Sequence, residues 1–167
     1  MATIPKVLKN YVAYLDAYGY AGKVPEAKLP PIKLKTDTYS GGGLAAELDL
    51  DMGLIEKMEM EITFAEYIPA VLGLFGDPDA SVTLRGAQED TPNTAEAVIV
   101  SVRGLFSQTD PGTWKPGSQT ANKCTVSLKY YKLTVGSTVV YEIDAENMKR
   151  VINGVDQLAA IRRALGM

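Results

Sequence analysis

An alternation of apolar and acidic residues with a period of two is the feature that most constrains the fold of this chain. It occurs in two segments, residues 44–52 and 57–63. Successive side chains of a β-strand point to opposite faces of a sheet, and a helix would not separate this pattern into two faces. Each segment therefore predicts a strand with one apolar face and one carboxylate face. The acids of the two predicted strands are Glu47, Asp49, Asp51, Glu59 and Glu61.

Further strands are predicted where β-branched and aromatic residues run between turn residues. The chain has fifteen Gly and nine Pro, spread without a period, which favours many short strands over long helices. Gly136 and Ser137 fit a two-residue hairpin turn. Residues 23–35 contain three prolines and predict an irregular edge strand. The other predicted strands cover residues 11–16, 81–86, 97–106, 124–135 and 139–143.

Two short helices are predicted beside the strands. In residues 67–75, Pro69 fits the first turn of a helix and Gly76 suits the left-handed position just past its end. Residues 154–165 carry apolar residues at helical spacing and are followed by Gly166.

Together these elements predict a mainly β protein, an antiparallel β-sandwich or small barrel with a flanking short α-helix and a C-terminal helix. Seven or eight strands are expected. No repeat, low-complexity tract or linker divides the sequence, so residues 1–167 are expected to form a single domain with an extended loop around residues 38–54.

Missing residue types exclude several classes of function. The chain has no His and one Cys. A His-based catalytic triad, a His metal site and an intrachain disulfide are therefore impossible. No apolar run approaches the roughly 18 residues that a membrane-spanning helix needs. The first residues lack a signal-peptide core, so the expected compartment is the cytoplasm.

The carboxylates and glycines do not form a recognisable active site. A row of exposed acids lacks the unlike environments that general acid–base chemistry needs. Asp49 and Asp51 lack the loop glycine and the ligand order of an EF-hand. No Gly-Lys-Ser/Thr follows Gly41, Gly42 and Gly43, so these residues predict a flexible loop. We therefore expect no enzyme, no metal site and no cofactor.

Cys124 and Trp114 are the two single residues whose role, structural or functional, the sequence bears on. Cys124 opens an apolar strand and is expected to be a buried, inert thiol. Trp114 lies in a loop rich in Pro and Gly. We expect its ring to anchor that loop by packing on the body of the protein, and an aromatic ligand platform is the alternative.

The charges are unevenly distributed along the chain. Residues 1–36 carry six lysines against two acids, and residues 111–167 carry eight bases against four acids. Residues 37–66 carry eight acids and one lysine. Two interpretations of this pattern are open. The charges are distributed unevenly over solvent-exposed faces, or an acidic patch on one copy binds a basic patch on the next in head-to-tail self-association. The acidic stretch argues against tight binding to nucleic acid.

Short motifs follow one another along essentially the whole chain, and their order is what makes them specific. The earlier ones are LP at 29–30, YSGGG at 39–43 and MGLIE at 52–56. The later ones are VRGL at 102–105, DPGTWK at 110–115, YYKL at 130–133, YEID at 141–144 and INGVDQL at 152–158. In this order they resemble the major tail tube protein of contractile-tailed phages, the protein type that also forms the inner tube of R-type pyocins.

The resemblance implies a tail-tube-like fold and a structural role. In this family six copies form a ring, and rings stack into a hollow tube inside a contractile sheath. The tube conducts DNA out of a phage head, or it is the puncturing needle of a pyocin. The implied partners are other copies of the chain, the sheath protein, a baseplate or spike initiator, a tail terminator and a tape-measure protein in the lumen. The implied location is a phage tail or pyocin particle assembled in the host cytoplasm.

Two placements of the acids follow from the resemblance. In the first, Glu59 and Glu61, together with Glu47, Asp49 and Asp51, line the lumen and repel DNA phosphates. In the second, residues 38–54 form the extended loop that reaches the neighbouring ring, and the acids on that loop meet basic residues there. The candidate inter-ring loop consists of Tyr39, Ser40, Gly41, Gly42, Gly43 and Leu44.

A second class of function is a monomeric β-barrel that binds a small apolar ligand. Such a protein would enclose a cavity within its barrel and would show no concentration-dependent assembly. Electron microscopy of the purified protein separates this alternative from a tail tube.

Overall fold

A computed structural model describes residues 3–167 of the chain. Within this range there are twelve strands and two short helices. The elements are β1 Val7–Leu15, β2 Tyr18–Gly19, β3 Glu26–Lys28, β4 Leu34–Tyr39, β5 Leu48–Ile55, β6 Met58–Phe64, α1 Pro69–Leu72, β7 Ala80–Glu89, β8 Glu96–Asp110, β9 Asn122–Val135, β10 Thr138–Asp144, β11 Lys149–Ile152, β12 Val155–Asp156 and α2 Ala159–Leu165.

Ten of the strands form one antiparallel sheet, and eight of them follow the order β12-β11-β10-β9-β8-β7-β1-β2. The long strand β9 has two successive neighbours along one of its sides. Residues 122–128 pair with β6, and residues 130–135 pair with β10. Strand β3 pairs with the free side of β6. Strands β4 and β5 form a separate two-stranded sheet. The predicted mainly β, antiparallel fold with two short helices is confirmed.

The core lies on one face of the large sheet, and the alternation in β6 shows how the sequence builds it. Met58, Met60 and Ile62 are at most 4% exposed, as their positions predict. They pack with the inward residues of β7, β8 and β9. Val71 of α1 covers part of this core and is itself fully buried. Close packing of these side chains supplies most of the stabilisation of the fold.

Several local predictions are confirmed. Gly136 and Ser137 form the turn between β9 and β10, and Gly136 has a positive φ. Pro69 begins α1, and Gly76 has a φ of 85°. Gly166 ends α2 in the left-handed conformation. Cys124 is buried, and burial raises the pKa of its thiol to about 11, which makes the thiol inert.

The C-terminal prediction is wrong at its start. The helix begins at Ala159 rather than at residue 154, and Val155–Asp156 is a strand. Asn153 and Gly154, both with positive φ, form a two-residue turn between β11 and β12. Asn-Gly favours this type of hairpin turn, and here the turn signal prevails over helical spacing.

Other boundaries also differ from the prediction. The strand expected over 44–52 begins at Leu48 and continues to Ile55, so Gly53 lies within β5 rather than between two strands. The first helix is only four residues long. The strand count exceeds the expected seven or eight because very short strands such as β2 and β12 carry no periodic signal. Trp114 does not pack on the body, since it is 81% exposed.

Candidate assembly surface

Strands β4 and β5 form a hairpin that pairs with no other strand among residues 3–167. We call this hairpin the arm (residues 34–55). Its register defines two faces, because directly opposed residues of antiparallel strands lie on the same side. Tyr39 lies opposite Leu48, and Leu50 lies opposite Asp37. The other face carries two pairs of polar residues, Thr38 with Asp49 and Thr36 with Asp51.

The apolar face of the arm is exposed along its whole length. Its large apolar side chains are 43–55% exposed. They are Tyr39, Leu48, Leu50, Met52 and, near the base, Leu54. Isolated apolar side chains on a surface are ordinary, whereas a contiguous exposed row is typical of interaction surfaces and makes this face a candidate for one.

The arm is also acidic. Asp37, Glu47, Asp49 and Asp51 lie on it, and the sequence has no Lys or Arg between residues 36 and 55. The Thr38 hydroxyl donates a hydrogen bond to Asp49 Oδ1 at 3.0 Å. A binding partner would therefore need apolar side chains flanked by positive charge.

The tip of the arm contains the candidate inter-ring loop. The backbone N–H of Leu44 donates to the carbonyl of Gly41, which closes a turn. Gly43 has a φ of 88°, a conformation that few residues other than glycine adopt. Nothing packs within 4 Å of where side chains on Gly42 or Gly43 would begin, so the tip is open to solvent.

At the base of the arm, Asp51 forms an ion pair with Arg150 of β11. The Asp51 carboxylate accepts hydrogen bonds from Arg150 Nη2 at 2.7 Å and Nη1 at 3.4 Å. The backbone N–H of Gly53 donates to the same carboxylate at 2.8 Å. The bonds from Arg150, and then the one from Gly53, lower the pKa of Asp51 from its usual value. Asp51 therefore has a basic partner in its own chain.

Glu59 and Glu61 lie elsewhere, on the solvent face of β6. Glu59 is opposite Ser127, and Glu61 is between Thr125 and Lys28. Lysines accompany them: Lys57 Nζ is 2.5 Å from Glu59, and Lys123 Nζ is 3.8 Å from Glu61. The five acids predicted from the alternation are thus divided between the body (Glu59 and Glu61) and the arm (Glu47, Asp49 and Asp51).

The solvent face of the large sheet is polar, and hydroxyl side chains recur across it. Ser81 lies opposite Arg103, and Thr83 lies opposite Ser101. Leu105, which is 43% exposed, is an apolar exception on this face. We call this surface the hydroxyl face.

Sequence reasoning missed an ion-pair network at one end of the hydroxyl face. Lys129 binds both Asp79 and Glu146, and Arg103 lies 3.9 Å from Asp79. The carboxylate pKa of Asp79 is lowered chiefly by its hydrogen bond from Lys129. These residues come from four separate parts of the chain, so no local pattern joins them.

Arg150 was also missed, although a signal for it existed. In β11 the side chains of Arg150 and Ile152 fall on the same side of the strand. Ile152 is apolar, so period two would have placed Arg150 towards the interior. A buried arginine requires a carboxylate partner, and that inference leads to the acids of the arm.

Trp114 and Tyr67 form a small exposed aromatic pair. The indole Nε1 of Trp114 donates to Tyr67 Oη at 2.8 Å, and Tyr67 Oη donates to the carbonyl of Pro111. The ring centroids are 6.4 Å apart. Trp114 thus anchors its loop through a hydrogen bond rather than through burial.

Residues 3–167 contain neither a cluster of metal-ligating side chains nor a membrane-spanning helix. No group of three or more His, Cys, Asp or Glu side chains is arranged to hold a metal ion. Neither helix in this range has the length and apolar character needed to cross a bilayer.

The same fold occurs in a contractile injection system. The structure resembles a chain of the sheath–tube complex of an extracellular contractile injection system (PVC) in its extended state. The TM-score is 0.60 at 8% sequence identity, and the match covers 78% of this chain and 91% of that chain. At this identity the likeness concerns the fold alone, and the class it defines is a mainly β fold shared with a chain of that complex.

Sequence comparison gives the family. The profile described as "Phage tail tube protein FII" matches residues 5–166. The tail tube protein of Escherichia phage P2 is 30% identical over 170 residues, which cover 98% of this chain and 99% of that protein. The major tail tube protein of Serratia phage KSP20 is 30% identical over 148 residues, covering 86% of this chain and 85% of that protein. The chain belongs to the phage tail tube protein FII family, as the order of its motifs predicts.

Proposed function

We propose that six copies of this chain form a ring and that rings stack into the hollow inner tube of a contractile tail. The whole chain acts as one tube domain, and the arm is its inter-ring element. In a phage the tube conducts DNA during ejection, and in a pyocin-like particle it is the puncturing needle. The observation that carries this proposal is the exposed apolar face of the arm.

Exposure of the apolar face of the arm is unfavourable in a monomer. Leu48, Leu50 and Met52 are 43–49% exposed, so covering them would contribute about half of the roughly 1.5–3 kcal/mol that full burial of such a side chain is worth. Against another copy this row would be buried together with the acids of the arm. The basic partners would come from the lysine-rich N-terminal region or the arginines near the C-terminus, and the contact would be head-to-tail.

The hydroxyl face, with Glu59 and Glu61, is the proposed wall of the bore. Sixfold repetition would turn each acid into a ring of charge, and a wall carrying carboxylates and hydroxyls would hold DNA phosphates weakly. Glu47 and Asp49, which lie on the arm, are assigned to the ring-to-ring contact instead. The lysines beside Glu59 and Glu61 reduce the local negative charge of this wall.

The remaining partners follow from the architecture of a tail. The sheath protein would cover the outside of the tube, a baseplate or spike initiator would begin it, and a terminator would end it. A tape-measure protein would fill the lumen during assembly in the host cytoplasm. The finished location would be the tail of a virion or a pyocin particle.

Negative-stain electron microscopy of the purified chain tests the proposal. Hollow tubes or rings are expected to appear as the protein concentration rises. Leu50→Asp should abolish them and leave a folded monomer. Leu105→Asp is the matched control, because Leu105 has the same 43% exposure but lies on the hydroxyl face. Discrete particles of one copy at every concentration would contradict the proposal.

The alternative of a monomeric ligand-binding barrel gains no support from the described residues. Its interior would have to be a cavity, but the space is filled by large side chains such as Phe64, Phe106 and Met60, which are at most 1% exposed. The grooves along residues 3–167 open onto the surface.

A further inference from the structure

The junction between the arm and the body has the features of a hinge. Between Lys35 and Thr36 the pairing of β4 with β5 shifts, and two residues of β5, Met52 and Gly53, are inserted there. Gly53 has a φ of 74°, so the strand turns at this point. Bulges bend a strand and redirect it. Beyond the bulge, towards the tip, the strands of the arm pair with each other and with no other strand among residues 3–167.

Packing does not fill the space around this junction. A cavity of about 190 Å³ lies on one side, lined by Gly53, Met58 and Leu158 among others. A groove of about 520 Å³ lies on the other, lined by Ile32, Leu34 and Tyr141 among others. Ile55 and Arg150 line both. Close packing on both sides would fix the angle between the arm and the body. Here such packing is interrupted on both sides of the base of the arm.

Arg150 is built into the rigid part of the molecule. It pairs with Ile143 across β10 and β11, and its backbone N–H points to Asp156 Oδ1 at 3.5 Å. The residue is 6% exposed. Its Nε has no hydrogen-bond partner within residues 3–167. The charge-assisted hydrogen bonds of its guanidinium in this range are therefore the two from Nη1 and Nη2 to Asp51.

We infer that Arg150 is the positioning residue that aims the arm, acting through Asp51. This inference rests on the proposed function, because the direction of the arm matters if another copy receives it. A buried guanidinium that lost its carboxylate would be left uncompensated, so the pair strongly favours one orientation of the hinge. An arm fixed in advance loses less conformational entropy when rings stack, which speeds and strengthens docking.

The direct test measures the direction of the arm in the unassembled full chain. Spin labels are placed at Ala45→Cys near the tip and at Ser81→Cys on β7, and the distribution of distances between them is recorded by pulsed electron paramagnetic resonance. Cys124 is buried and contributes no background label. Asp51→Asn breaks the ion pair without changing the shape of the side chain. Asp49→Asn is the matched control, since Asp49 is two residues away on the same face and bonds to Thr38.

A narrow distribution is expected for the parent and for Asp49→Asn, and a broad one for Asp51→Asn. Arg150→Lys keeps the charge and should restore a narrower distribution than Arg150→Met. Circular dichroism verifies that each variant is folded. Tube elongation by Asp51→Asn should be about three- to tenfold slower, the effect of one charge-assisted hydrogen-bonded pair.

Two results would overturn the inference. One is a distribution for Asp51→Asn as narrow as that of the parent, and the other is equal broadening by Asp49→Asn. The distance measurement needs no assembly, so it stands even where the parent forms no tubes. Absence of tubes in the parent contradicts the proposed function instead, which keeps the two failures distinct.

Discussion

Strands β5 and β6 have almost the same sequence pattern, but the apolar face of β6 is buried and that of β5 is exposed. Both alternate apolar and acidic residues, yet Met60 and Ile62 in β6 are fully buried, whereas Leu48 and Leu50 in β5 are 43–49% exposed. The difference is their pairing. Strand β6 is hydrogen-bonded on both sides and faces the core, while β5 pairs with β4 alone. The same alternation therefore gives a buried apolar face where a strand is paired on both sides over the core, and an exposed apolar face where it is not.

The largest effect should come from removing an apolar side chain from each strand in turn. Met60→Ala is expected to lower the free energy of unfolding by about 2–5 kcal/mol, because a cavity remains in the core. Leu50→Ala should change it by less than about 0.5 kcal/mol, as at other surface positions. Urea denaturation of dilute, unassembled protein measures both. Equal losses would show that the arm folds against the body.

The second contrast uses glycines, one in each region. A side chain on Gly104 of β8 would begin 2.0 Å from the carbonyl oxygen of Ser127, whereas nothing lies within 4 Å of that position on Gly42. Gly104→Ala should therefore destabilise the protein by about 1–3 kcal/mol through overpacking. Gly42→Ala should be close to neutral. The melting temperatures of the two variants decide the point, and a neutral Gly104→Ala would contradict the close approach of β8 and β9.

The smallest effect is in the dependence of stability on pH. The hydrogen bond from Arg162 is the chief cause that lowers the pKa of Asp156 in the body. The ionised Asp156 carboxylate therefore contributes its full stabilisation above the pKa that Asp has in the unfolded chain, about 3.9. This stabilisation is lost as the pH falls through the lower pKa of Asp156 in the folded protein. Asp156→Asn should flatten the fall of unfolding free energy between pH 5 and pH 3, relative to the parent.

Urea denaturation of dilute protein at a series of pH values measures the two profiles. A profile for Asp156→Asn as steep as that of the parent would contradict this role of the Arg162–Asp156 ion pair.

Sequence reasoning identified the strands with strong local signals. The alternation in β6, the Gly136-Ser137 turn and Gly76 act over a few residues, so the pattern alone was sufficient. The same alternation predicted β5, but a period of two states only that a face is apolar. The period does not indicate what covers that face, so only the structure reveals that the apolar face of the arm is exposed.

Long-range features escaped prediction for a physical reason. Arg150 and Asp51 are 99 positions apart, and only the fold brings them to the same hinge. The start of α2 was misplaced because an Asn-Gly turn and helical spacing compete over the same residues. Trp114 was expected to anchor its loop by packing on the body of the protein, but its indole N–H donates to Tyr67 Oη at the surface.

The central claim is that the apolar face of the arm is an interface between copies of this chain. A helical reconstruction by electron cryomicroscopy of tubes assembled from the purified protein tests it most directly. The claim predicts rings around a hollow bore, with Leu48 and Leu50 of each copy buried against another copy. Tubes in which these side chains remain in solvent on the outer wall would contradict it.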